Sequence, residues 1–234
     1  MNQTIELLDL FNSFQGEYPF QGRYSTFIRF LKCNLKCEWC DTLIGNLKPT
    51  IYDYDDIVKL TKKSNFITFT GGEPSLYVDE IINILAYLID TNTYLSNITF
   101  ETNGVKLEVF EDILKSVQTL GVSAYNICRV IWSPKFYTEK LIDIQFANLY
   151  DIFNPSFMYL KLVAVPNELS IVEQFIDLVI QLNGIKVKKN VALMLYTNID
   201  DKSYIKENIT NTLKLAEKYG ISISTRIQFD LGIK

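Results

Sequence analysis

Three of the four cysteines in the chain, Cys33, Cys37 and Cys40, fall within eight residues in a C-x3-C-x2-C spacing, with Trp39 directly before the last. Thiolates this close can converge on one inorganic centre. A mononuclear zinc site takes four protein ligands, or three and a water. An iron–sulfur cube held by only three cysteines leaves one iron open to another ligand. A disulfide framework fits poorly, since three clustered cysteines and one distant one do not pair off, and a long chain buries a core without staples. The fourth thiol, Cys128, has no cysteine near it in sequence, and the chain has no histidine. That absence excludes Ser-His-Asp and Cys-His catalysis and any His-ligated zinc. Acid–base chemistry must come from Glu, Asp, Lys, Tyr or Cys.

The 234 residues are expected to form a single domain, 1–234. Hydrophobic residues at 48 % and charged residues at 21 % are those of an ordinary globular protein, and a net charge of −4 offers no general nucleic-acid surface. The first residues lack the basic start and apolar run of a signal peptide, and no stretch reaches transmembrane length. A cytoplasmic location is expected, with neither membrane nor nucleic acid as partner.

Along the chain, apolar alternation predicts strands at 5–14, 24–30, 66–69, 97–100, 126–132, 157–163, 191–196 and 221–229. Helical periodicity predicts helices at 53–63 with Asp53 as N-cap, 78–90, 108–120, 138–148, 167–182 and 202–219. This alternation implies a parallel sheet with crossover helices. Around six βα units are too few for a closed eight-fold barrel, so an α/β partial (β/α)6-type TIM-like barrel is expected, with a doubly wound open sheet as the alternative.

Polar motifs fall at predicted strand ends. Thr70-Gly71-Gly72-Glu73-Pro74 follows one strand, Glu101-Thr102-Asn103-Gly104 the next, and Ser133-Pro134-Lys135 the one after. A glycine pair lets the backbone approach a ligand. Each motif alone could be a turn or a helix start, but their joint placement favours one cavity. Arg29 lies in the apolar run Phe27-Ile28-Arg29-Phe30. A guanidinium there needs an anion, either a ligand carboxylate or an acid of the protein such as Glu17.

The cysteine trio with Gly71-Gly72-Glu73-Pro74 resembles the radical S-adenosylmethionine (SAM) superfamily. The additional order of Phe14-Gln15-Gly16-Glu17, Phe27-Ile28-Arg29-Phe30, Cys40-Asp41-Thr42, Glu101-Thr102-Asn103-Gly104 and Ser133-Pro134-Lys135 resembles the 7-carboxy-7-deazaguanine synthases of 7-deazapurine (queuosine) biosynthesis. The resemblance covers roughly residues 10–135; the rest matches by strand–helix rhythm. It implies a [4Fe–4S] cluster on Cys33, Cys37 and Cys40, and a Mg²⁺ on the Thr42 hydroxyl. It implies SAM contacts from Trp39, Asp41, Gly72, Glu73, Asn103, Ser133, Pro134 and Lys135. A pterin substrate would meet Phe14, Gln15, Gly16, Arg29 and Thr70. The implied reaction is a lyase step from 6-carboxy-5,6,7,8-tetrahydropterin to 7-carboxy-7-deazaguanine and ammonia, begun by the SAM-derived radical with no further catalytic residue assigned. A flavodoxin or ferredoxin as electron donor and a homodimer go with it. The chain departs from the family pattern at Tyr18, where a glycine is usual, at Leu195, where a proline is expected, and in the 226–229 segment, which has no histidine. The rival readings are a glycyl-radical activating enzyme, which shares the cysteine spacing, and a non-catalytic zinc-binding module.

Overall fold

The fold is that of a computed structural model, which describes residues 3–37, 40, 48–121, 123–196, 202–230 and 232. Strands β1 (Thr4–Leu7) and β4 (Thr50–Asp53) pair antiparallel as a small separate sheet. The main sheet contains β2 (Asp9–Phe14), β3 (Tyr24–Phe30), β5 (Phe66–Gly71), β6 (Asn97–Thr102), β7 (Cys128–Trp132), β8 (Met158–Ala164), β9 (Val191–Leu195) and β10 (Ser222–Ser224). Its order is β10-β9-β8-β7-β6-β5-β3-β2, parallel throughout except for the antiparallel β2–β3 pair.

The central strands are near-continuous apolar runs because parallel strands between helices are buried on both faces. Alternation still sorts them. Ile67 and Phe69 belong to the main hydrophobic cluster, whereas Thr68 and Thr70 turn the other way, toward Gln15, Ser25, Thr99 and Glu101. Stacked rings continue the outer layer across strands, Phe30 to Phe69 at 6.1 Å and Phe69 to Phe100 at 5.4 Å. Helices α1 (Tyr54–Ser64), α2 (Val78–Asp90), α3 (Val109–Thr119), α5 (Glu139–Asp151), α6 (Leu169–Asn183) and α7 (Lys202–Tyr219) complete six crossovers; α4 (Ala124–Ile127) and α8 (Ile227–Asp230) are single turns. In α3 the buried Phe110, Ile113, Leu114 and Val117 fall at the i, i+3, i+4, i+7 positions of one apolar stripe.

Edge strands β2 and β10 are not bonded to each other. The loop after β2 bridges them: Tyr18 N donates to Ser224 Oγ at 3.0 Å, Gln21 Nε2 to Thr225 Oγ1 at 2.9 Å, and Ile227 N to the Gly16 carbonyl at 3.2 Å. Phe20 packs edge-on against Phe66 and Tyr159 at the strand starts. The sheet is thus curved into the expected partial barrel, with this loop across its open side.

Three local expectations are corrected. The 5–14 strand is two strands in two sheets: the chain breaks at Leu8, whose N–H bonds the Arg29 carbonyl, and buried Asp9 takes the Leu10 N–H at 3.0 Å. Residues 124–127 form a helical turn, so β7 begins at Cys128. The 221–229 strand stops at Ser224, because the following residues leave the edge to reach Gly16 and then turn as α8. Asp53 does stand at the N-cap of α1, but its side chain makes no cap bond. The β1–β4 pair was not foreseen.

Candidate functional site

At the C-terminal ends of the strands lies a cavity of about 380 Å³, and Cys33, Cys37 and Cys40 all line it. The stem of their loop is fastened to the loop after β5. Gly72 N donates to the Phe30 carbonyl and Glu73 N to the Lys32 carbonyl, both at 2.8 Å, while Lys32 N donates to the Tyr77 hydroxyl at 2.8 Å. Both glycines are required by this closeness. Gly71 has φ +96° and a Cβ there would lie 2.7 Å from Phe30 N; a Cβ on Gly72 would lie 2.1 Å from the Lys32 carbonyl oxygen.

Glu73 acts inward. Its Oε1 accepts from Ser75 N at 3.0 Å and the Thr102 hydroxyl at 2.6 Å, and its Oε2 accepts from Asn103 N at 2.8 Å. Asn103 in turn donates through Nδ2 to Asn34 Oδ1 at 2.8 Å and toward Cys33 Sγ at 3.8 Å. Helix α5 grips the same turn: Gln145 Nε2 donates to the Asn103 carbonyl at 3.0 Å and Asn148 Nδ2 to the Gly104 carbonyl at 2.5 Å. Trp132 Nε1 bonds Gln145 at 2.9 Å and stands where a Cβ on Gly104 would fall, 1.9 Å away. Next along the rim, buried Lys135 donates to the Ser133 carbonyl at 2.6 Å and its hydroxyl at 2.9 Å. Burial pulls the Lys135 ammonium down, opposed by Cys37. Burial pushes the Cys33 and Cys37 thiols up.

The donor set fits a cluster: three thiols line one cavity, the ligand number that leaves one iron of a cube open. Cys128, by contrast, is fully buried in β7, and burial raises its thiol to about 12.

On the other wall, Thr70 donates to Glu101 Oε2 at 2.9 Å and Gln15 Nε2 to Glu101 Oε1 at 3.1 Å. Arg29 lines the cavity beside them, its guanidinium 5.1 Å from the Phe11 ring centre, and no ion pair with it forms among the described residues. Glu17, the acid that could have neutralised it, pairs instead with Lys161 of β8 and accepts from Gln228 Nε2 at 3.2 Å. Burial pushes the Glu17 carboxyl up, but Lys161, Arg226 and Gln228 outweigh it and hold the group below the usual carboxylate range. A smaller recess of about 60 Å³ adjoins this wall and is lined by Phe14, Gln15 and Gly16. Gln228 Oε1 is buried there without a hydrogen-bond partner among the described residues.

The structure therefore brings Cys33, Cys37, Cys40, Gly72, Glu73, Asn103, Ser133, Lys135, Arg29 and Thr70 to one cavity, with Phe14, Gln15 and Gly16 at the adjoining recess. Pro134 is buried behind the rim and is not among the lining residues. Trp39, Asp41 and Thr42 lie outside the described residues. Sequence reasoning did not single out Glu101, Lys161, Arg226, Gln228, Tyr77, Gln145 or Asn148 for the site. Glu101 could have been found, since it heads the motif that supplied Asn103.

The radical SAM superfamily model matches residues 27–131. The chain is 35 % identical over 112 residues to the 7-carboxy-7-deazaguanine synthase of Thermoplasma acidophilum, covering 45 % of this chain and 51 % of that protein. It is 37 % identical over 105 residues to that of Haemophilus influenzae, covering 44 % and 47 %. It thus spans about half the length of either relative. Against the synthase of Clostridium acetobutylicum the identity is 28 % over 224 residues, covering 91 % of this chain and 92 % of that protein. In fold, it is similar to the crystal structure of QueE from Escherichia coli, with a TM-score of 0.57, 17 % identity and coverage of 95 % and 93 %.

Proposed function

We infer that the chain, whose residues 27–131 match the radical SAM superfamily model, is a lyase that converts 6-carboxy-5,6,7,8-tetrahydropterin to 7-carboxy-7-deazaguanine with release of ammonia. The observation that carries this reading is the pairing of two unlike walls in one cavity. One wall bears three thiols and a glycine-exposed backbone; the other bears Arg29 beside Thr70 and Glu101. The relatives named above are 7-carboxy-7-deazaguanine synthases by name, which supports the product of this reading.

The bound cluster and SAM supply one-electron chemistry that removes a hydrogen atom from the substrate. The protein's part is binding, orientation and exclusion of water. Cys33, Cys37 and Cys40 hold the cluster. Gly72, Asn103, Ser133 and Lys135 would hold SAM, with Pro134, Trp39 and Asp41 in the same contact. Glu73 is a support, since its two oxygens accept three bonds within the protein, whereas each Glu101 oxygen accepts only one and keeps room for another donor. Arg29 takes the substrate carboxylate as a bidentate fork. Glu101, fixed by Gln15 and Thr70, accepts N–H groups from the heterocycle. Thr42 would offer its hydroxyl to a Mg²⁺, a hard cation suited to oxygen. An external one-electron donor of the flavodoxin or ferredoxin type, a homodimer and a cytoplasmic setting go with this reading. Among the described residues no helix is long and apolar enough to cross a membrane.

A protein-loop substrate needs no carboxylate anchor such as Arg29, which weighs against the glycyl-radical alternative. The test is anaerobic incubation of reconstituted protein with SAM, reductant and the carboxypterin, followed by mass spectrometry. Formation of the carboxydeazaguanine in step with 5′-deoxyadenosine is expected. Deoxyadenosine without any deazapurine overturns the substrate assignment; protein that takes up no iron or sulfide overturns the enzyme class.

A further inference from the structure

We propose that the Tyr137 hydroxyl is a hydrogen-bond donor to the Cys37 thiolate and raises the reduction potential of the cluster held there; this rests on the cluster assignment made above. The Tyr137 oxygen lies 3.8 Å from Cys37 Sγ, across 100 residues of sequence. As a free thiol, Cys37 is itself the donor in this contact. Once bound to iron it has no proton to give, so only the tyrosine O–H can bridge the two atoms. A proton shared with a ligand sulfur draws electron density from the cluster and favours its reduced form.

The segment that carries Tyr137 is built to hold it. Phe136 on one side is buried and packs against Phe175 at 5.2 Å between ring centres. Thr138 on the other side caps α5, accepting the Leu141 N–H at 3.2 Å. The tyrosine is therefore fixed at both flanks although its ring is 39 % exposed. Cys33 and Cys37 are treated differently. Cys33 has a backbone donor, Leu35 N at 3.4 Å, and Asn103 Nδ2 at 3.8 Å. Cys37 has Tyr137, a side chain whose donor can be removed without touching the backbone. Lys135, two residues earlier on the same segment, faces the cavity, so one stretch reaches both the cluster loop and the proposed SAM side.

Tyr137 is thus a positioning residue, and its effect is read as a potential. Anaerobically reconstituted wild type, Tyr137→Phe and the exposed control Tyr150→Phe are titrated with the reduced-cluster signal followed by electron paramagnetic resonance, without SAM. The expected result is unchanged iron content and about a tenfold less favourable reduction in Tyr137→Phe, a midpoint lower by about 59 mV for one electron, with Tyr150→Phe at the wild-type value. A fluorinated tyrosine incorporated at position 137 keeps the shape, donates more strongly and raises the midpoint. Iron-loaded Tyr137→Phe with a wild-type midpoint overturns the proposal. So does loss of iron from that variant together with an unmoved midpoint in the fluorinated protein. Wild-type protein that assembles no cluster overturns both this inference and the reading beneath it, and that outcome is seen before any variant is made.

Discussion

Breaking the Glu17–Lys161 ion pair tests how the open side of the barrel is held. The two side chains are 13 % and 7 % exposed, and they join the loop after β2 to the middle of β8 across 144 residues. Removing one partner of a buried pair leaves the other charge uncompensated, at a cost of roughly 3–5 kcal/mol. In Lys161→Met, Glu17 keeps the Gln228 hydrogen bond and the field of Arg226, so the lower end, about 3 kcal/mol, is expected. At about 2–4 °C per kcal/mol for a chain of this size, Tm falls by roughly 6–12 °C. The deficit also depends on pH. In the wild type Glu17 titrates below its unfolded value, so its contribution is present above the unfolded pKa and is lost as pH falls through the folded one. In the variant the lowering by Lys161 is gone, so less of this stability, present above the unfolded pKa, remains to be lost as pH falls. The gap between the two proteins therefore narrows as pH drops from neutrality toward the carboxylate range. Glu17→Gln/Lys161→Met removes both charges and recovers most of the loss. Chemical denaturation of the three proteins at neutral and mildly acidic pH measures all of this. A Lys161→Met deficit below about 1 kcal/mol, or a double variant no better than the single one, refutes the reasoning.

Cys33→Ala, Cys37→Ala and Cys40→Ala each abolish iron binding, whereas Cys128→Ala retains it; iron and sulfide assays on the four proteins decide, and the opposite pattern reverses the ligand assignment. Gly72→Ala forces a methyl against the Lys32 carbonyl, which no side-chain rotation relieves, so stability drops by about 1–3 kcal/mol and SAM affinity falls with it, read by thermal melts and equilibrium binding. Thr42→Ala reduces turnover more than SAM cleavage and weakens the Mg²⁺ dependence; undiminished stimulation by Mg²⁺ removes that residue from the metal. Arg29→Lys keeps the charge but loses the fork, so substrate affinity falls and turnover falls further. Destabilised Arg29→Lys protein with normal affinity and turnover takes Arg29 out of the site.

The motifs that sequence alone located are those in which backbone geometry dictates the residue. Gly71 and Gly104 occupy positive φ, and Gly72 and Gly104 are pressed against Lys32 and Trp132, so these positions mark themselves as glycines at strand ends. The main parallel strands were legible for a related reason: strands buried on both faces read as apolar runs. The errors lie where a distant partner overrides local pattern. Residues 221–229 alternate like a strand, yet Ile227 N finds the Gly16 carbonyl, more than two hundred positions earlier in the chain, and the strand ends. The break at Leu8 likewise follows from partners on β3 and β4 that no local window contains. Gln145 and Asn148 look like ordinary polar helix residues until the turn at Asn103 and Gly104 is seen beneath them.

The charges that line the cavity bear on the proposal that Arg29, rather than Lys135 or Lys161, takes an incoming carboxylate. Four cations, Arg29, Lys135, Lys161 and Arg226, face three carboxylates, Glu17, Glu73 and Glu101. Each carboxylate is engaged from within: Glu17 by Lys161 and Gln228, Glu73 by Ser75, Thr102 and Asn103, Glu101 by Gln15 and Thr70. Lys161 is spent on Glu17, and Lys135 is folded back on Ser133. Arg29 rests over Phe11, a contact worth only about 0.5–2 kcal/mol, well short of what a partly buried guanidinium gains from a carboxylate in bidentate contact. An incoming carboxylate on this wall therefore displaces no ion pair of Arg29 with any described residue. The same accounting makes Glu17→Gln informative for function: with its acid gone, Lys161 becomes a second cation in reach of the substrate, and the cavity gains affinity for carboxylates while losing the single orientation that Arg29 alone would impose.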